Sequence, residues 1–207
     1  MRRCVIIGAA PIGNYDRIRS FLRHDDFFIL CDGGLNHAEK LKITPNLIIG
    51  DFDSHANPNL DIETIVLPCE KDDTDSFSAL KTAIKRGFKE FLFLGMTGKR
   101  FDHSLGNLFM LVKCHKESLQ AVMIDDFSEM EIIGKNEAQI PDTYAYFSLL
   151  NITGTAKKIT IKNARYNLDE KEIPQEYQYG ISNEVLPGKK AAVSVKEGCL
   201  LLVKIWK

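Results

Sequence analysis

A chain of 207 residues is long enough to bury a sizeable core, as one large domain or two small ones. Its 27 Lys and Arg against 28 Asp and Glu leave a formal net charge of -1, which excludes bulk electrostatic attraction to nucleic acid or to an anionic membrane. With 44% hydrophobic and 27% charged residues the composition is that of a soluble globular protein, so any electrostatic function must be local.

Apolar, β-type runs occupy residues 4–7, 27–31, 47–49, 64–67, 91–94 and 121–124, and apolar residues at helical spacing mark 15–22, 35–41, 76–86 and 105–115 between them. This alternation predicts an α/β fold over residues 1–126, a mainly parallel sheet flanked by helices, with ligands gathered at the carboxyl ends of the strands. After about Asp126 the pattern changes. Runs at 145–150, 158–161, 191–195 and 200–205, separated by turn residues such as Asn151, Gly154 and Pro187-Gly188, predict a second domain over residues 127–207, an all-β sandwich. The polar, Tyr-rich stretch 163–180 reads as a long connection or as irregular strands.

The five cysteines, Cys4, Cys31, Cys69, Cys114 and Cys199, are odd in number and lack Cys-x-x-Cys spacing, which predicts reduced thiols rather than a disulfide or zinc framework. The apolar run after Arg2 and Arg3 is too short for a signal peptide, and no stretch reaches transmembrane length, so a cytoplasmic chain is expected.

The chemistry concentrates in the loops after the predicted strands. Asp51 and Asp53 follow an apolar run two residues apart, so in extended chain both carboxylates face one spot, a place to hold a hard cation such as Mg²⁺. An isolated Asp-x-Asp is also an ordinary turn or cap, and what raises this one is the company of two further Asp-rich clusters. In Lys71-Asp72-Asp73-Thr74-Asp75, Asp73 or Thr74 is a plausible helix N-cap and Asp75 suits the helix dipole, which leaves Asp72 and Lys71 for a metal and a phosphate. In Gly95-Met96-Thr97-Gly98-Lys99-Arg100-Phe101-Asp102-His103 the glycines let the loop bend and Lys99 and Arg100 offer charge to phosphates. Asp102 there is a helix cap or a substrate acceptor, and His103 a structural residue or a catalyst. Asp32-Gly33-Gly34 lets backbone amides approach an anion, with Asn36 on a ligand or on a solvated face. Gly8-Ala9-Ala10-Pro11-Ile12-Gly13 has neither Gly-x-Gly-x-x-Gly nor a Walker Lys, and reads as a plain strand-to-helix turn.

Taken in order, Asp32-Gly33-Gly34 with Asn36, Pro45, Ile49-Gly50-Asp51-Phe52-Asp53-Ser54, Lys71-Asp72 with Thr74-Asp75, Gly98 with Arg100, Asp102-His103 and Asn107, and then Ser182-Asn183-Glu184 resemble the thiamine pyrophosphokinase family. The resemblance spans both halves of the chain. It implies an N-terminal α/β domain and a C-terminal β-sandwich in a homodimer whose active sites form between subunits. It also implies Mg²⁺-assisted transfer of the terminal diphosphate of ATP to the hydroxyethyl oxygen of thiamine, giving thiamine diphosphate and AMP. Carried over by position, Asp51, Asp53, Asp72 and Asp75 resemble the metal and phosphate site. Asp32, Gly33 and Asn36 resemble nucleotide-site residues, Lys71 and Arg100 groups that stabilise phosphate charge, Asp102 and His103 a thiamine-facing pair, and Ser182-Asn183 the part of the β domain that closes over thiamine. A Mg²⁺-dependent phosphohydrolase and a non-catalytic thiamine or nucleotide sensor are the rival readings.

Overall fold

The computed structural model describes residues 2–52, 61–68, 70 and 72–207. By its internal contacts the chain divides into two compact units, Met1–Asp126 and Phe127–Lys207. Among the described residues no helix is long and apolar enough to cross a membrane.

In the first unit six strands, β1 (Cys4–Ile7), β2 (Phe27–Cys31), β3 (Leu47–Gly50), β4 (Thr64–Val66), β5 (Glu90–Leu94) and β6 (Gln120–Ile124), lie in the order β4-β3-β2-β1-β5-β6. All five pairings are parallel, with Cys4 opposite Phe27 on one side and Phe91 on the other. Strands covered on both faces must be apolar throughout, which is why β1 and β3 are wholly buried. Between the strands run α1 (Tyr15–Ser20), a 3-10 turn (Asp32–His37) leading into the single-turn α2 (Ala38–Leu41), α3 (Asp75–Lys85) and α4 (Phe101–Lys116). Ala79, Leu80 and Ala83 form the buried face of α3, and Met110, Leu111 and Cys114 that of α4.

Two differences from the predicted elements bear on the site. The helix expected over 35–41 begins earlier and as a 3-10 turn, turning α-helical only from Ala38, with Gly33 and Gly34 starting it tight against β1: a Cβ on Gly34 would lie 2.2 Å from the Ile7 carbonyl oxygen. Helix α4 starts at Phe101, four residues earlier than its apolar spacing indicates, with Arg100 at the N-cap position, so Asp102 is not the cap and belongs with His103 to the first turn.

The second unit is all-β and antiparallel. Strands β7 (Ser128–Ile133), β13 (Leu200–Trp206) and β9 (Tyr144–Leu150) make one sheet, in the order β7-β13-β9. Strands β8 (Ala138–Pro141), β10 (Ala156–Lys162), β11 (Leu168–Lys171) and β12 (Lys190–Gly198) make another, in the order β11-β10-β12-β8. One buried cluster takes Ile133, Phe147, Leu149 and Leu202 from the first sheet and Ile140, Ile159, Val193 and Val195 from the second, so the unit is a sandwich. The stretch 163–180 contains β11, a polar edge strand (Leu-Asp-Glu-Lys) with no apolar alternation to announce it. Beyond it, Asn151 secures the chain by donating from Nδ2 to the Ile173 carbonyl at 2.7 Å and exchanging backbone bonds with the Gln178 side chain.

Two glycines test how tightly the first unit is built. Gly34→Ala is expected to cost about 1–3 kcal/mol through overpacking on β1. Gly106→Ala, inside α4 with nothing near a new Cβ, is expected to gain up to about 1 kcal/mol from helix propensity. Denaturant unfolding of the two variants reads both, and a neutral Gly34→Ala would contradict the packing described.

Candidate active site

The strand order of the first unit reverses between β1 and β5, and a cavity of about 650 Å³ opens there at the carboxyl ends of the strands. The backbones meet very closely at this point. A Cβ on Gly8 would stand 2.6 Å from the Gly95 oxygen, and one on Gly95, whose φ is +61°, would stand 2.6 Å from the Gly8 oxygen. Gly8 N–H donates to Leu94 O and Ala10 N–H to Gly95 O, each at 2.9 Å, so the loops after β1 and β5 extend the sheet's pairing into the cavity wall.

Asp32, Asp51 and Asp75 converge on this cavity, each with a carboxylate oxygen within 4.8 Å of those of the other two. Asp32 opens the 3-10 turn after β2 and is buried; Gly50 makes room for it, since a Cβ there would lie 2.7 Å from the Asp32 Cβ. Asp51 follows β3 and is succeeded by Phe52 at φ +55°, a left-handed conformation that bulky residues seldom adopt. Asp75 is the first residue of α3, whose N-cap Thr74 accepts from Phe77 N–H, so it sits at the positive end of the helix dipole. Among the described residues Asp32 Oδ1 and Asp75 Oδ1 are buried oxygens that meet no hydrogen-bond donor, while both side chains have other polar or electrostatic partners. Three like charges so close, with buried acceptor oxygens, make a donor set suited to a hard divalent cation.

The other expected residues fall in different places. Asp53 and Lys71 lie outside the described residues. Asp73 pairs with Lys81 at 2.5 Å and is thereby drawn away from the cluster, and Asp72 is exposed and does not line the cavity. Asn36 is exposed, whereas Gly33 lines the cavity. Lys99, Arg100 and His103 line it from the loop after β5 and the first turn of α4. Arg100 grips Asp102 with two bonds of 3.0 and 2.6 Å at the exposed start of α4, and this pairing holds the Asp102 carboxyl well below the usual carboxylate range. The loop itself is held by Asn107, which donates to Met96 O at 2.8 Å, and by Ser104 Oγ, which accepts from Gly98 N–H at 2.9 Å.

Among the described residues Cys31 is the cysteine that lines the cavity. Burial first, then the charge of Asp75, pushes its thiol up to about 12, so it stays protonated at neutral pH.

In the second unit the carboxamide of Asn183 is buried and bound internally. Its Oδ1 accepts from Tyr166 and Glu184 N–H at 3.0 and 2.9 Å, and its Nδ2 donates to Tyr166 O at 2.7 Å. Asn183 therefore shapes this segment from within, while the neighbouring Ser182 is exposed at φ +58°.

One contributor gave no sequence signal, because a lone histidine carries none. Buried His37 donates from Nε2 to the Ala10 carbonyl at 3.1 Å and accepts the Tyr15 hydroxyl at Nδ1 at 2.8 Å, tying the loop after β1 to α1. Burial above all, with Lys40 assisting and the Ala10 carbonyl opposing, lowers its pKa from the ordinary 6.5.

Two family models match the chain: "Thiamin pyrophosphokinase, catalytic domain" over residues 18–123 and "Thiamin pyrophosphokinase, vitamin B1 binding domain" over residues 132–200. A thiamine pyrophosphokinase of Bacillus subtilis is 24% identical over 216 aligned residues, covering 99% of each chain. The crystal structure of a Bacillus subtilis thiamine pyrophosphokinase shares the fold at a TM-score of 0.86 with 23% identity and full coverage of both chains. That of a Geobacillus thermodenitrificans thiamin pyrophosphokinase does so at 0.83 with 24% identity, covering 99% of this chain and 98% of its own.

The buried imidazole predicts a pH dependence. The unfolded chain takes up a proton near pH 6.5 and the folded His37 only at lower pH, so its contribution is intact above about pH 6.5 and declines as the pH falls towards the depressed folded value. Denaturant unfolding between about pH 5 and 8 should show this slope, reduced in His37→Gln.

Proposed function

The chain belongs to the thiamine pyrophosphokinase family, and from this premise we propose that it moves the terminal diphosphate of ATP to the hydroxyethyl oxygen of thiamine, producing thiamine diphosphate and AMP. The observation that carries the reading is the convergence of Asp32, Asp51 and Asp75 in a cavity also lined by Lys99 and Arg100. Anionic ligands for a cation beside cationic groups for phosphates are what diphosphoryl transfer requires.

The carboxylates fit Mg²⁺, with Asp32, Asp51 and Asp75 as the residues that would hold it and Asp53 assigned to the same site on the family resemblance; Asp72, which the resemblance also assigns there, is exposed and stands off the cavity lining. Bound there, the ion would offset charge on both the carboxylates and the triphosphate. Lys99, Arg100 and Lys71 neutralise phosphate oxygens, and Gly33 leaves the backbone open to a close approach by the nucleotide, with Asn36 at its margin. Asp102, His103 and Ser182 face thiamine in this reading, and Asn183 positions the segment that carries Ser182. The thiamine hydroxyl attacks the β-phosphorus, its proton is released, and the bond from that phosphorus to the α-β bridging oxygen breaks, so AMP departs with the electron pair. Holding the two substrates in line supplies much of the acceleration. In this reading the transfer is a single displacement, since no activated nucleophile stands out in the sequence. A cytoplasmic homodimer with active sites formed between subunits completes the proposal.

Product analysis by mass spectrometry tests it, with ATP, Mg²⁺ and thiamine omitted in turn. Thiamine diphosphate and equimolar AMP, both lost without Mg²⁺, are expected. Thiamine monophosphate with ADP, or ATP breakdown independent of thiamine, would replace the proposal with an ordinary kinase or a hydrolase. Asp51→Asn should lower turnover by more than about 100-fold, beyond the usual cost of losing an outer-shell partner of a metal. Without divalent ions the same variant should be at least as stable as the parent, because it relieves repulsion among the carboxylates.

A further inference from the structure

Neither Asp125 nor Asp126 lines the cavity, yet together they hold both of the loops that shape one wall of it. The Asp126 carboxylate accepts two consecutive backbone amides, Gly13 N–H at Oδ2 (2.7 Å) and Asn14 N–H at Oδ1 (2.8 Å), and its carbonyl accepts Arg17 Nη1 at 3.1 Å. The approach is tight, for a Cβ on Gly13 would stand 3.1 Å from Oδ2. Asp125 Oδ2 accepts the Thr97 hydroxyl at 2.8 Å. One residue thus anchors the loop after β1 and its neighbour the loop after β5.

The two loops also touch. A Cβ on Gly98 would lie 3.1 Å from the Ala10 Cβ and 3.2 Å from the Pro11 Cδ, beside the Ala10 N–H bond to Gly95 O. A shift at either anchor is therefore transmitted to the other loop, and the loop after β5 carries Lys99 and Arg100. We infer that Asp125 and Asp126 are positioning residues, a two-sided brace at the end of β6 that sets where Lys99 and Arg100 stand relative to the nucleotide's phosphates. Their action is indirect: the carboxylates hold backbone amides and one hydroxyl, and those loops meet the ligand. This inference rests on the reading of the cavity as the nucleotide site, but the coupling between the loops does not.

Two readouts separate these parts. In the apo protein, amide hydrogen exchange of Asp126→Asn should rise by about tenfold at residues 10–14 and also at 96–99, since a charge-assisted hydrogen bond is lost. Thr97→Val, whose side chain does not line the cavity, should raise exchange at 96–99 and at 10–13, while Thr97→Ser, which keeps the hydroxyl, should match the parent. In the second readout, α,β-methylene-ATP with Mg²⁺, which cannot break at the α-β bridge, should bind Asp126→Asn and Thr97→Val about tenfold more weakly and Thr97→Ser unchanged. Mn²⁺ binding in the absence of nucleotide, followed by electron paramagnetic resonance, should stay within about twofold, because the brace does not support the carboxylate cluster. Exchange confined to the mutated loop overturns the brace, as does unchanged nucleotide binding in a folded variant of a parent that binds. Should Asp126→Asn fail to fold, Thr97→Val carries the same test. A parent that does not bind the analogue removes the reading of the cavity and with it the assignment to phosphates.

Discussion

Asp32, Asp51 and Asp75 bring carboxylate oxygens within 4.8 Å of one another, and much of the first unit is organised around that crowding. At an effective dielectric of about 20, two unit charges at such a separation repel by roughly 3 kcal/mol, a cost that a fold selected for stability alone would avoid. The chain tolerates it through local devices. Asp75 rests at the N-terminus of α3, where the helix dipole favours negative charge, and Gly50 makes space for Asp32 to lie against β3. Asp73, which would add a further charge, is held by Lys81 instead. Like charge concentrated in this way is characteristic of functional sites.

The reversal of strand order supplies the space for this arrangement. Where β1 and β5 diverge to opposite neighbours, their outgoing loops have no further strand to follow, and glycines 8 and 95 let the two backbones pass in contact before they part. His37 and Asp126 then hold the first loop, and Asp125, Asn107 and Ser104 the second. The anionic cluster is thereby built on strand ends and a helix terminus, and the cationic groups on a loop held by hydrogen bonds from Asp125, Ser104 and Asn107. Arg100 is partly committed to Asp102 as well, which restricts its guanidinium to one side of the first turn of α4.

The second unit follows a different logic. Two antiparallel sheets share one apolar core, and Asn183 spends its buried carboxamide on shaping the exposed turn at Ser182. A short motif that reads as a ligand contact here divides into an internal anchor and the residue it presents. Such division cannot be seen in a tripeptide, because it depends on which side chain points inward.

The parallel strands were legible because burial on both faces demands unbroken apolar runs, and residues 4–7 and 27–31 need no neighbour to announce themselves, whereas β7 and β8 lie outside the expected runs. Strand β11 was not legible, since a polar edge strand is defined by its partner β10 rather than by its own pattern. In the same way local pattern alone places acidic and basic groups after strand ends, and the ordered motifs point to the family. Which of them meet comes from the fold: Asp32 joins Asp51 and Asp75, Asp73 pairs with Lys81, and Asp125 and Asp126 reach the loops after β5 and β1 through hydrogen bonds that no spacing betrays. The acids of the cluster follow β2 and β3 or open α3, and the brace follows β6, so their convergence is set by strand order and backbone contact distance, quantities that local composition does not contain.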